Sequence, residues 1–368
     1  MLRGDDSGTA CRVWRATRQI SGPDANAINR RRRSRSIRSP RAAPVRPGPR
    51  CRLFVSLYDP YRQVMKHAAI LGLFPSRRPV PPKPRVMARS RTDYGAREVI
   101  DYAVAPGERV RAFLLVPEER QRRRPGVLAS HQHAREYKVG KSEPAGLAGK
   151  RMYHYGVELC RQGYVVLCPD HLGFEERYRP ATVSRKDAAS EGRDQESLLL
   201  ADCLLHGSSL TAKYLFDMLQ AFDVLASDDR VDARRLGVIG HSLGGQTGLW
   251  HAFYDERVRV AFASCGFSTL ETVQKHRIPH NFASYLPGLL EVGDIDDVVA
   301  AIAPRAFGMS HGMHDPLFPM DGVRRIQSRA RAVFPERHFL SIVFRGAHSF
   351  PDSVKRRAYA FLRRHLGT

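Results

Sequence analysis

The stretch Leu236-Gly237-Val238-Ile239-Gly240-His241-Ser242-Leu243-Gly244-Gly245 decides how this chain is read. A mostly apolar run ends in Gly-His-Ser-Leu-Gly, and a helix-compatible segment, Gln246 to Tyr254, follows at once. This is the G-x-S-x-G pattern of a nucleophile elbow, a serine held on a sharp turn between a strand and a helix. Such a turn forces the serine into an unfavourable backbone conformation. The positions two before and two after it come too close for a Cβ, which suits Gly240 and Gly244. The N–H groups of the new helix then point to where an oxyanion would form. The competing reading is a glycine-rich strand-to-helix turn with an incidental serine.

The flanking sequence supplies the context. Arg97–Val104 and Arg109–Val116 read as two strands joined by Ala105-Pro106-Gly107, a hairpin signal. Short apolar runs at Gly126–His131, Tyr164–Cys168, Val258–Ser264, Arg305–Ser310 and His338–Phe344 read as further strands. Helical patterns fall between them at Pro144–Arg161, Leu198–Ala226, Asp294–Ala301 and Met320–Phe334, with a last helix at Asp352–His365. Antiparallel strands first and alternating β and α afterwards predict an α/β fold. Its central sheet of about eight strands is mostly parallel, with helices on both faces. Two stretches break the alternation, Phe174–Glu196 and Phe267–Gly293. Both follow strand carboxyl ends, where open α/β sheets place their ligands.

The net charge of +23 suggests nucleic acid until it is divided by position. Residues 1–90 hold 21 Lys/Arg against 4 Asp/Glu, while the remaining 278 hold 39 against 33. The excess therefore belongs to the N-terminal quarter. Residues 1–64 read as a disordered, Arg-rich tail, typified by Arg30-Arg31-Arg32-Arg33. It lacks the aromatic interleaving of a nucleic-acid arm, which counts against that partner. A targeting segment and an upstream start, with Met65 as the alternative, both fit it. Residues 65–85, with five prolines from Pro75 to Pro84, read as an extended linker, and 86–368 as the catalytic domain. No apolar run approaches the about 20 residues of a membrane span. Cys11, Cys51, Cys160, Cys168, Cys203 and Cys265 show no C-x-x-C spacing, which fits reduced thiols and a cytoplasmic location. Oligomeric state is not encoded legibly.

A serine hydroxyl needs a base, and the base needs an acid to fix its tautomer. The last strand pattern runs into Gly346-Ala347-His348-Ser349, which offers His348 as base. The strand before it runs into Ser310-His-Gly-Met-His-Asp315-Pro316, which offers Asp315 as acid, held extended by the proline. Glu271 and Asp294 are rival acids, and His311 and His314 rival bases. Leu243 N–H would supply one oxyanion donor, and the backbone N–H of Gln132 or His133, in the loop after Gly126–His131, the other. His131, Gln132 and His133 also invite a metal reading, but they lack metal-site spacing. No metal or cofactor is implied. Arg177 and Arg179 read as solvated or ion-paired residues rather than an anion site.

Several motifs together resemble one superfamily. They are His131-Gln-His133, Lys141-Ser-Glu-Pro-Ala-Gly146, Gly163-Tyr-Val-Val-Leu-Cys-Pro-Asp170, Gly173-Phe-Glu-Glu-Arg177, Arg235-Leu-Gly-Val-Ile-Gly-His-Ser242-Leu-Gly-Gly, Pro304-Arg305 and Gly346-Ala-His348-Ser-Phe. From about Val86 to Leu366 the chain resembles the α/β-hydrolases of the dienelactone hydrolase-like and acetyl xylan esterase-like superfamily. The resemblance implies that fold, with Ser242, Asp315 and His348 as nucleophile, acid and base acting on a small ester. True dienelactone hydrolases carry a cysteine where this chain has Ser242, which favours ordinary ester chemistry over lactones. A thioesterase or peptidase on the same three residues is an alternative. So is an inactive hydrolase domain with a basic partner-binding tail.

Overall fold

The computed structural model describes residues 60–118, 123–182 and 188–368. Most of the stretch read as an Arg-rich tail, residues 1–59, lies outside them. The strands are β1 (Arg85–Thr92), β2 (Gly95–Ala105), β3 (Glu108–Pro117), β4 (Arg124–Ser130), β5 (Val165–Pro169), β6 (Val231–His241), β7 (Val258–Ser264), β8 (Ala306–Gly312) and β9 (Phe339–Phe344). They form one sheet in the order β1-β2-β3-β5-β4-β6-β7-β8-β9. Pairs from β1 to β5 are antiparallel, and every pair from β5 across β4 to β9 is parallel. The helices are α1 (Pro60–Leu71), α2 (Tyr155–Arg161), α3 (Ala188–Leu205), α4 (Leu210–Ser227), α5 (Leu243–Tyr254), α6 (Leu270–Lys275), α7 (Leu289–Val292), α8 (Ile295–Ala301), α9 (Met320–Arg331) and α10 (Asp352–Leu366).

Side chains alternate across the parallel strands and feed two core clusters. Leu128 and Val238 face one, which takes in residues of α4, α5, α8 and α9. Val127, Ala129 and Ile239 face the other, with residues of α2 and α10. Both faces of β4 to β8 are thus covered, which is why those strands appear in the sequence as short continuous apolar runs. The one strand that sequence reading missed is β1. It lies at the sheet edge, almost wholly exposed, so its sequence Arg-Val-Met-Ala-Arg-Ser-Arg-Thr carries no buried alternation.

Three expectations change. The stretch read as a linker, 65–85, overlaps α1, whose Ile70 is fully buried in the larger core cluster. Phe74 follows it there and packs edge-on against Trp250 and Tyr254, with ring centroids 5.4 and 5.7 Å away. The proline-rich segment is tied down too, since Arg77 bonds Gln220 and Asp223, and Pro82 O accepts the Ala103 N–H. The apolar positions of α1 were hidden by the prolines after it. The helix expected over Leu198–Ala226 is two helices, because Gly207 adopts φ 67° and Ser209 caps α4 by accepting the Ala212 N–H. The helix expected over Pro144–Arg161 is confined to its end, since Gly146 and Gly149 turn with positive φ.

Much of the motif content of residues 132–177 is structural. The buried Lys141 Nζ lies 2.7 Å from Asp170 and 2.8 Å from Glu175, and Glu175 also receives Ser142 N–H and Oγ–H. Arg177 is buried against Glu108 and Asp217, so it is an ion-paired residue. The Lys141 and Ser142 contacts lock the loop after β4 against the loop after β5, and the Arg177 pairs tie the latter to β3 and α4.

Candidate active site

Ser242 stands between β6 and α5 with φ 54° and ψ −118°, a strained conformation for a residue with a side chain. The turn is tight enough to need both glycines. A Cβ on Gly240 would meet Gly244 backbone at 2.2 Å, and one on Gly244 would meet Ser130 O at 2.0 Å. Ser130 O also accepts the Tyr155 hydroxyl, so the elbow rests on a fixed strand end. Leu243 opens α5, and a first-turn helical N–H has no intrahelical acceptor.

Asp315 and His348 sit past the carboxyl ends of β8 and β9. His348 Nδ1 lies 2.8 Å from Asp315 Oδ2, and Asp315 Oδ1 accepts the Leu317 N–H at 2.9 Å. Backbone bonds from Met313 N to Phe344 O and from His314 N to Gly346 O, each 2.9 Å, bind the acid's loop to the base's loop. Burial pushes the Asp315 carboxyl up, but the bond and charge of His348 and the Leu317 N–H outweigh it and hold it below its ordinary value. The carboxylate is therefore ionised at neutral pH and fixes a proton on His348 Nδ1, leaving Nε2 as the acceptor.

The rivals are engaged elsewhere. Glu271 pairs with Arg325 at 2.6 Å, and Asp294 caps α8 while accepting the N–H groups of Leu270 and Glu271. His311 is buried against Phe267 O at 2.7 Å, and His314 is exposed outside the cavity. His241 stacks near His348, yet burial and then the His348 charge push it well down, so it stays neutral. Cys265 lies beside Asp315, where burial first and the Asp315 charge next push its thiol up to about 12. It is a thiol and not a nucleophile.

Ser242, Leu243, His133 and His348 all line one cavity of about 570 Å³. Gln132 does not; its amide donates to both oxygens of Glu143. His131 and His133 serve separate networks. His131 contacts Gln132 O and accepts the His171 N–H, whereas His133 Nδ1 accepts the Arg135 N–H. They share no point at which a metal could sit. The cavity walls include Tyr137 from the loop after β4, Arg193 from α3, His280 and Phe318. They come from the two stretches that broke the β/α alternation and from the loops after β4 and β8, but no residue pattern singled them out. A larger groove of about 910 Å³ lies elsewhere, lined by Arg89, Arg123 and Arg230 and by none of the residues above.

This arrangement has counterparts. Residues 209–367 match the model of the prolyl oligopeptidase family. A Bacillus subtilis (strain 168) protein described as "Putative hydrolase YtaP" is 29% identical over 270 residues, 72% of this chain and 84% of its own. A Bacteroides fragilis NCTC 9343 chain assigned as an acetyl xylan esterase superposes with a TM-score of 0.61 at 15% identity, covering 82% of this chain and 81% of that one. A glucuronoyl esterase from Solibacter usitatus gives 0.56 at 14%, covering 82% and 92%. The chain has the α/β-hydrolase fold. In its sheet Ser242, Asp315 and His348 stand past the carboxyl ends of β6, β8 and β9, in the chain order expected of a nucleophile, an acid and a base in this fold. Among the described residues, no helix is long and apolar enough to cross a membrane.

Proposed function

We propose that this α/β-hydrolase is a serine esterase that cleaves small carboxylic esters through an acyl-enzyme. One observation carries the reading: an Asp315–His348 pair at 2.8 Å borders the same cavity as a serine held in a strained elbow. In the mechanism, Ser242 Oγ attacks the ester carbonyl while His348 Nε2 takes its proton. Asp315 stabilises the imidazolium without accepting the proton itself. The N–H groups of Leu243 and His133 receive the tetrahedral oxyanion, each such donor being worth about 3 kcal/mol in the transition state. His348 then protonates the leaving alcohol, and water, deprotonated by the same imidazole, releases the acid. Every group needed for this is supplied by the chain, so the reading involves no cofactor.

A second reading, amide hydrolysis on the same residues, is favoured by the match to the prolyl oligopeptidase model. The triad does not encode the leaving group, so a substrate panel separates the two. On the ester reading, p-nitrophenyl acetate and thioester analogues turn over and peptide p-nitroanilides do not. Ser242→Ala should abolish p-nitrophenyl acetate hydrolysis and fluorophosphonate labelling while leaving the circular dichroism spectrum unchanged. Full activity in that variant would end the proposal.

A further inference from the structure

The carboxylate of Glu196, buried on α3, gathers donors from three segments that wall the cavity. Its Oε2 accepts the Tyr137 hydroxyl at 3.2 Å, and its Oε1 accepts the Phe282 N–H at 2.9 Å. Arg193 reaches Oε2 at 3.5 Å and also donates to His280 O at 3.2 Å, its guanidinium lying 3.8 Å above the Phe282 ring. The fourth neighbour is His133, whose Nε2 stands 3.4 Å from Oε2. That nitrogen is buried and forms no hydrogen bond among the described residues, and the Glu196 carboxylate is the acceptor it faces. Because His133 Nδ1 accepts the Arg135 N–H at 3.1 Å, the ring's proton is on Nε2 and faces Glu196. The turn closed by this bond is strained, with Ala134 at φ 44° and Arg135 at φ 60°.

We infer that Glu196 is a positioning residue for acyl transfer: it anchors the His133 ring, and through the ring the strained 133–135 turn, so that the His133 N–H stays aimed at the oxyanion. The inference rests on the esterase reading and its assignment of His133 as an oxyanion donor. The carboxylate is suited to the task because it only accepts. Burial raises its proton affinity, but the nearby His133 ring, the Phe282 N–H and the Arg193 charge outweigh this and hold it below its ordinary value. A neutral amide of the same shape would turn its own N–H groups toward one of these donors. Distortion of the turn would weaken binding of the tetrahedral species while leaving the ground state little changed, which is the signature of a lost transition-state contact.

The test uses the full chain with p-nitrophenyl acetate, and phenylboronic acid as a probe that forms a tetrahedral adduct on Ser242. Glu196→Gln should lower kcat at least tenfold with KM within twofold of wild type, and weaken the boronate by a similar factor. His133→Asn keeps an acceptor for the Arg135 N–H but falls short of Glu196, and it should lose about as much. The double variant should lose no more than either single one, as expected of two residues acting through one contact. A Glu196→Gln enzyme with kcat within twofold of wild type overturns the inference, as does a rise in KM alone or a double variant whose losses multiply. If Glu196→Gln fails to fold, His133→Asn decides, and unchanged kcat and boronate affinity there overturn it equally. Hydrolysis surviving in Ser242→Ala would instead remove the esterase reading itself.

Discussion

Ser242, Asp315 and His348 differ in how they can be found. Ser242 sits inside a pentapeptide whose glycines are required by contacts within the elbow and with β4, so local sequence reports it. Asp315 and His348 were legible because each follows a strand pattern, and strand ends are where an α/β sheet exposes side chains to a ligand. Glu196 was not legible, because a glutamate midway along a helix looks like any solvated acid until the chain is folded. The acid also makes a pH prediction. The Asp315 carboxyl is held below its unfolded value of about 3.9, so its ionised form stabilises the fold above roughly pH 4. That contribution is lost as the pH falls through the lower, folded value. Wild type should therefore exceed Asp315→Asn in unfolding free energy at pH 7, and the gap should narrow as the pH falls below about 4. Urea titrations across this range check it; a gap independent of pH would remove the carboxylate as its source.

At the scale of elements, strands covered on both faces were legible and exposed or interrupted ones were not. The runs of β4 to β8 are apolar because helices cover them, whereas β1 offers no buried face to read. Helix α1 was obscured for another reason: a proline-rich run follows it, and composition averaged over both looks like a linker. Its packing yields a prediction. Phe74 is buried against Trp250 and Tyr254, and a large-to-small change at such a site costs about 3–5 kcal/mol. Phe74→Ala should lower the unfolding free energy by that amount in urea, without changing KM for p-nitrophenyl acetate. A loss below about 1 kcal/mol would return this segment to the status of a linker.

For the whole molecule, the excess charge and the candidate site fall in different parts of the chain. The excess of Lys/Arg lies in residues 1–90, while the candidate site draws on residues between His131 and His348. Removing residues 1–59 should leave kcat/KM for p-nitrophenyl acetate within twofold and abolish any salt-sensitive binding to DNA. A large fall in kcat/KM would show that the basic segment contributes to the reaction. The sequence by itself determined the α/β alternation and the elbow pattern, and placed Asp315 and His348 after later strands, because each is written in short-range patterns of burial period and turn chemistry. Only the tertiary structure decided that α1 belongs to the core, that His133 rather than Gln132 borders the cavity, and that Glu196 ties the loop after β4 to α3 and to the 280–282 segment. Those contacts join segments roughly 60 to 180 residues apart, brought together by the sheet order, and no local periodicity records which side chains will meet there.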